Sequence, residues 1–196
     1  MATVSIIGTG KVGTALARQF ARSGLPVGIA NTRGPDSIAA LAKELGAAVV
    51  PLQLREALEA DVVILAVPFR AHRDVARGRP DWSGKLVVDA MNTYGIPPEE
   101  LQGRPSTAVV ASAFPGAKVV KTFNQLPAKL LAEDPAAHAG RRVMFVSSDD
   151  EGAQASIAKL VADLGFAAIQ LGRIDEGGAL IGMAGPLLLQ DLIKQG

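Results

Sequence analysis

The sequence predicts an α/β fold: a doubly wound, mostly parallel sheet of the Rossmann type with a short helical C-terminal tail. Three observations predict it. Short β-branched runs alternate with helical stretches over almost the whole chain. The strongest run, DVVILAV at residues 61–67, is apolar on both faces and stops at Pro68. A glycine-rich turn lies between the first strand and the first helix. Continuous apolar strands separated by helices imply a parallel sheet covered on both sides and joined by right-handed crossovers.

Taken in order, residues 3–7 form a first strand, and residues 11–22 carry helical spacing through Val12, Leu16 and Phe20. Residues 26–30 read as the second strand and 36–45 as a helix stopped by Gly46. Residues 47–50 are a third strand and 53–59 a short helix; strands follow at 61–67, 85–89, 119–123 and 143–146. An amphipathic helix at 150–164, a strand at 167–171 and a Gly-interrupted helical tail at 175–194 complete the chain. No internal repeat or long linker divides it, so residues 1–196 are expected to form a single domain.

Composition narrows the function. Hydrophobic residues make up 48% of the 196, enough for a packed core, and 20 basic residues nearly balance 19 acidic ones. A nucleic-acid surface would be markedly basic, so none is expected. The four Arg within residues 70–79 read as a solvated loop or helix face. The absence of Cys excludes disulfides, thiolate catalysis and thiolate metal sites. No signal-like start and no apolar segment of ~20 residues is present, so a cytosolic protein without a membrane partner is expected.

Residues 8–13, GTGKVG, fit G-x-G-x-x-G between strand and helix, the context that gives this pattern its meaning. Gly8 permits the tight turn, Gly10 has no Cβ to collide with a pyrophosphate, and Gly13 lets helix and strand pack closely. The amide N–H groups of Thr9, Lys11 and Val12, with the dipole of the helix start, then face the phosphates.

The second strand ends in Asn31-Thr32-Arg33-Gly34, where an NAD site would carry an acid for the ribose hydroxyls. Arg33 can instead pair with the 2′-phosphate of NADP, with Asn31, Thr32 and Ser37 adding hydrogen bonds. NADP(H) is therefore the expected dinucleotide.

Ligands in such sheets sit beyond the carboxyl ends of the strands. Ala66, Val67 and Pro68, then Asn92, then Asn124 should line the nicotinamide end, the two amides either holding the carboxamide or capping their turns. Phe123 and Met183 are candidates for the second substrate's side, as is His72, read in a loop after the fourth strand. His138 reads as a surface residue and Asp89 as a loop cap. No metal-ligand spacing and no catalytic acid or base is found; hydride transfer between stacked rings needs alignment more than proton transfer.

The motifs GTGKVG, NTR, AVPF, DAMN and KTFNQLPA occur together in an order and spacing that resembles the F420-dependent NADP oxidoreductase family. That family in turn resembles the reductase domain of the STEAP metalloreductases. The resemblance implies one Rossmann domain holding NADP(H), with a deazaflavin (F420) or flavin stacked on the nicotinamide. It also implies C-terminal helices that shape the acceptor pocket and a homodimer contact. By position it places residues 9–12, Thr32 and Arg33 on the NADP phosphates. Val67 and Pro68 fall along the cofactor, and Phe123 and Asn124 beside the nicotinamide. The tail, GGALIGMAGPLLLQDLIK, departs from the family in being Gly-rich. Two other readings share the N-terminal half: a reductase of small imines or hydroxy acids, and a non-catalytic NADP sensor.

Overall fold

A computed structural model describes residues 3–195. Six strands, β1 (Val4–Ile7), β2 (Val27–Ala30), β3 (Val49–Pro51), β4 (Val62–Leu65), β5 (Leu86–Asp89) and β6 (Lys118–Lys121), form one sheet in the order β3-β2-β1-β4-β5-β6. All its neighbouring pairs are parallel. The order reverses between β1 and β4, which opens a crevice at their carboxyl ends.

The alternation of each strand splits the core in two. Ile6, Ile29, Ile64, Val88 and Val120 point to one face, which is covered by α1 (Lys11–Ser23) and α8 (Glu151–Asp163). Ile7, Val63, Leu65, Val87 and Val119 point to the other. That face is covered by α3 (Leu54–Ala57), α4 (His72–Arg77) and α6 (Ser106–Ala113), with Trp82 edge-on to Phe114 at 4.7 Å between ring centres. Apolar residues on both faces are what a sheet buried on both sides requires.

The helix expected at 36–45 begins as a 3₁₀ turn, Pro35–Ile38, before α2 (Ala39–Leu45). The helices α5 (Pro98–Leu101), α6 and α7 (Ala128–Ala132) lie in stretches for which the sequence predicts no element.

Beyond β6 the chain turns back. β8 (Gly140–Val146) pairs with β7 (Ala136–Ala137), with β9 (Ala167–Gln170), and with a closing strand, β10 (Ile193–Gln195). A single antiparallel bridge, Lys121 to Ser147, joins it to the main sheet. The Gln125 side chain fills the gap between them: its Oε1 accepts from Phe145 N at 2.8 Å and its Nε2 donates to Val143 O at 3.2 Å. The amide thus stands in for a strand neighbour.

The helical tail expected at 175–194 is α9 (Gly177–Leu180) followed by turns and β10. Four residues of helix are what the glycines permit. Buried Arg142, bonded to Asp191 at 2.7 Å, fastens the tail to β8.

Candidate functional site

The glycine loop runs from the end of β1 into α1, and its three glycines answer to different neighbours. Gly8 has φ +114°, and a Cβ there would stand 2.2 Å from the Ala66 carbonyl oxygen. A Cβ at Gly13 would stand 1.9 Å from the Gly8 carbonyl oxygen, so helix and loop touch at that point. A Cβ at Gly10 would meet no protein atom within 4 Å. Two glycines are thus needed to build the loop, and the third clears a space in front of it.

Gly10 caps α1 without a side-chain hydrogen bond, and the first turn holds no acid. The N–H groups of this 13-residue helix are left for an anion. Lys11 is exposed at the same end, and Val12 packs on the core behind it.

Asn31 joins this loop to the turn after β2. Its Nδ2 donates to Thr9 Oγ1 at 2.9 Å and to Ser37 Oγ at 3.0 Å, and its Oδ1 accepts from Arg33 N at 2.8 Å. Both amide hydrogens are then engaged. Asn31, expected to donate to a phosphate, instead fixes the positions of Thr9, Arg33 and Ser37. Thr32 and Arg33 are exposed, and Arg33 has no ion pair among the described residues. Ser37 Oγ donates within the turn, to Gly34 O at 2.7 Å.

At the other end of the crevice Ala66 N bonds to Ile7 O at 2.9 Å, which holds the Ala66-Val67-Pro68 turn against β1. Asn92 and Asn124 pair with each other across β5 and β6. Asn92 Nδ2 donates to Asn124 O at 2.8 Å, and Asn124 Nδ2 donates to Asn92 Oδ1 at 3.0 Å and to Ile181 O at 2.6 Å. That last bond brings the segment after α9 to the crevice, with Met183 two residues on and exposed. Asn124 Oδ1 and Thr122 Oγ1 are buried without a partner. Orphaned buried acceptors of this kind mark a place where a donor belongs.

Two expected substrate contacts are corrected. Phe123 has φ +62° and a fully buried ring that belongs to the core. His72 lies on α4 instead of a loop, is 1% exposed, and bonds through Nδ1 to Phe69 O. Its apolar neighbours Phe69, Val75 and Ala76, at helical spacing, were the available signal that the residue points inward.

Burial pushes the His72 pKa below its ordinary value of 6.5, against the Phe69 carbonyl, which favours the cation; Arg73 adds to the lowering and Asp89 opposes it. The unfolded chain therefore binds more protons than the folded one as pH falls below that value. The His72 contribution to the unfolding free energy is expected to decrease as pH falls below about 7. Urea titrations of the wild-type protein and of His72→Phe check this, the variant having the shallower slope.

The sequence reading missed two features. Tyr94, 62% exposed and two residues beyond Asn92, was not singled out. Asp89 caps its loop as expected, accepting from Met91 N at 3.0 Å, but it also forms a buried ion pair with Lys121 at 3.1 Å. Thr107 donates to the same carboxylate at 2.7 Å, and Lys121 Nζ donates to Met91 O. Both charges thus hold Met91, the residue before Asn92.

Residues 3–93, 91 of the 196, contain the glycine loop, the Arg33 turn and Asn92 and match the family described as NADP oxidoreductase, coenzyme F420-dependent. It is also similar over its full length to a hypothetical protein from Sinorhizobium meliloti, with 43% identity, a TM-score of 0.95 and 97% of that chain covered. A protein from Arthrobacter described as an F420-dependent NADP reductase is 26% identical, with a TM-score of 0.74 and all of both chains covered. A reductive aminase from Aspergillus terreus, solved with an NADPH derivative, shares the fold at 24% identity and a TM-score of 0.67. Its match takes in 93% of this chain and 59% of the aminase. No curated protein sequence matches the chain.

The predicted residues fall into two groups. Gly8, Thr9, Gly10, Gly13, Asn31 and Ala66 meet around the glycine loop. Asn92 and Asn124 meet the tail at Ile181.

Proposed function

We propose that this chain is an NADP(H)-dependent oxidoreductase that passes hydride between the nicotinamide and a flat acceptor of the deazaflavin or flavin class, coenzyme F420 among them. The observation that carries the reading is the cleared space at Gly10, in front of an uncapped helix start and flanked by an unpaired Arg33. NADPH, when bound, supplies the hydride; this chain's residues hold and orient it. The N–H groups at the start of α1 take the pyrophosphate, and Arg33 with Thr32 takes the 2′-phosphate. Asn31 keeps these two grips in register. The orphaned Asn124 Oδ1 would accept from the carboxamide.

On the acceptor side, Tyr94, Leu180 and Met183 are exposed apolar side chains. They belong to the two segments joined through Asn92, Asn124 and Ile181. They offer an apolar wall to a planar ring, and alignment of two rings is the main requirement of hydride transfer. Leu189 and Leu192, exposed further along the tail, support the expected homodimer contact.

Arg33→Ala is expected to weaken NADPH binding roughly 10- to 100-fold, the loss of a charge-assisted hydrogen bond, and to leave NADH nearly unchanged. Calorimetry with both cofactors measures it. Equal loss for both, or a wild-type preference for NADH, overturns the NADP assignment. NADPH oxidation followed optically, with F420, FMN, FAD, riboflavin and a ferric chelate offered in turn, identifies the acceptor. Tight NADPH binding without turnover on any of them would instead support the sensor reading.

A further inference from the structure

Between α4 and α6, on the flank of the sheet, lies a cavity of about 440 Å³ that none of the residues proposed to hold the dinucleotide borders. Four arginines line it, Arg73, Arg77, Arg79 and Arg104, and no carboxylate is among its described lining residues. Trp82 and Val109 contribute apolar surface. The arginines that read as a solvated face in the sequence thus converge, and Arg104 joins them from the chain ahead of α6.

Their charges are not all spent. Arg77 pairs with Asp74, and Arg79 with Glu59. Arg73 and Arg104 have no ion pair among the described residues, and Arg104 donates to Ser112 Oγ at 3.0 Å.

His72 also borders the cavity. Because the Phe69 carbonyl can only accept, the ring proton of the neutral imidazole sits on Nδ1. Nε2 is then a buried lone pair with no partner. The charged groups facing this ring are Arg73 on its own helix, Arg104 across the cavity, and Asp89 at the end of β5, which Lys121 neutralises.

We infer that this cavity is a second binding site, for a compact phosphate-bearing anion. Arg73 and Arg104 supply the charge, and His72 Nε2 takes a proton from solvent on binding and becomes a further donor. A guanidinium fork matches the spacing of phosphate oxygens, and three peripheral oxygens can serve two forks and an imidazolium together, where the two oxygens of a carboxylate cannot. A volume of about 440 Å³ suits a small phosphorylated molecule or free phosphate.

The test is calorimetry on the full chain with inorganic phosphate and with glycerol 3-phosphate, glycerol serving as the uncharged control. Three proteins are compared: wild type, Arg33→Ala, and Arg73→Gln with Arg104→Gln. Arg73 and Arg104 are exposed, so their exchange leaves the fold intact. One phosphate site should persist in Arg33→Ala and weaken at least about tenfold in the double variant. The heat should change with the ionisation enthalpy of the buffer, which reports proton uptake. In ¹⁵N spectra of the wild type, the buried imidazole should pass from a neutral to a doubly protonated signature as phosphate is added. Preference for glycerol 3-phosphate over phosphate identifies a phosphorylated metabolite as the ligand; the reverse identifies free phosphate. Loss of binding in Arg33→Ala, equal affinity in the double variant, no saturable heat, or an unchanged imidazole spectrum would each overturn the proposal.

Discussion

Gly13→Ala is expected to unfold or severely destabilise the chain, while Gly10→Ala is expected to fold normally and bind NADPH poorly. A methyl group at position 13 would stand 1.9 Å from the Gly8 carbonyl oxygen. Gly8 cannot retreat, because its own alpha carbon is pressed on Ala66 and its N–H is tied to Ala30 O at 2.8 Å. The clash is backbone against helix, so relief requires α1 to lift off the sheet. We expect a loss of at least about 3 kcal/mol, the upper end for overpacking a rigid site. Gly10 has φ −74° and ψ −170°, open to any L-residue, and a methyl there meets no protein atom. Its cost falls on the ligand, at about 1–3 kcal/mol of binding, roughly 5- to 150-fold in Kd. Urea unfolding separates the first effect and calorimetry with NADPH the second. A Gly10→Ala protein that binds NADPH like the wild type would show that the cleared space does not receive the pyrophosphate.

The second large effect is expected at Lys121. Removal of its charge by Lys121→Met leaves the fully buried Asp89 carboxylate without a counterion, at a cost of about 3–5 kcal/mol. Pairing the change with Asp89→Asn should recover part of that loss, since the buried charge then goes too while an amide oxygen can still accept from Met91 N. The unfolding midpoints of the single and double variants decide it; a single-variant loss below about 1 kcal/mol would overturn the claim that this buried pair depends on both partners. The double variant is also expected to bind NADPH more weakly, because Lys121 and Asp89 together hold the residue that precedes Asn92.

What could be read from the chain and what could not divide along the range of the interactions. The GTGKVG loop was legible because a turn, a helix start and a close approach are local demands that glycine alone meets. The expected strands were legible because a sheet covered on both sides needs unbroken apolar runs. The helix α6, STAVVASA, is equally local, but its eight small and apolar residues between Pro105 and Pro115 carry no amphipathic spacing that would mark it. Lys121, inside the expected strand 119–123, gave no sign of a charge pair, since its partner Asp89 lies 32 residues earlier. Gln125 gave no sign that its amide would complete a sheet, and β10 none that it would pair with β8. Asn31 was legible as part of the turn after the second strand, yet only the folded contacts show that its hydrogens are already engaged.

The sequence by itself determined the fold class, the strand order's starting unit and the presence of a glycine-rich loop beside a cationic turn. Each of these follows from residues within one turn or one strand of each other. Tertiary structure alone decided that Phe123 faces inward, that Asp89 and Lys121 share a buried charge pair, and that the tail returns to Asn124. Those outcomes depend on which distant segments the sheet order makes neighbours, and pairing across a sheet leaves no periodic trace in the chain.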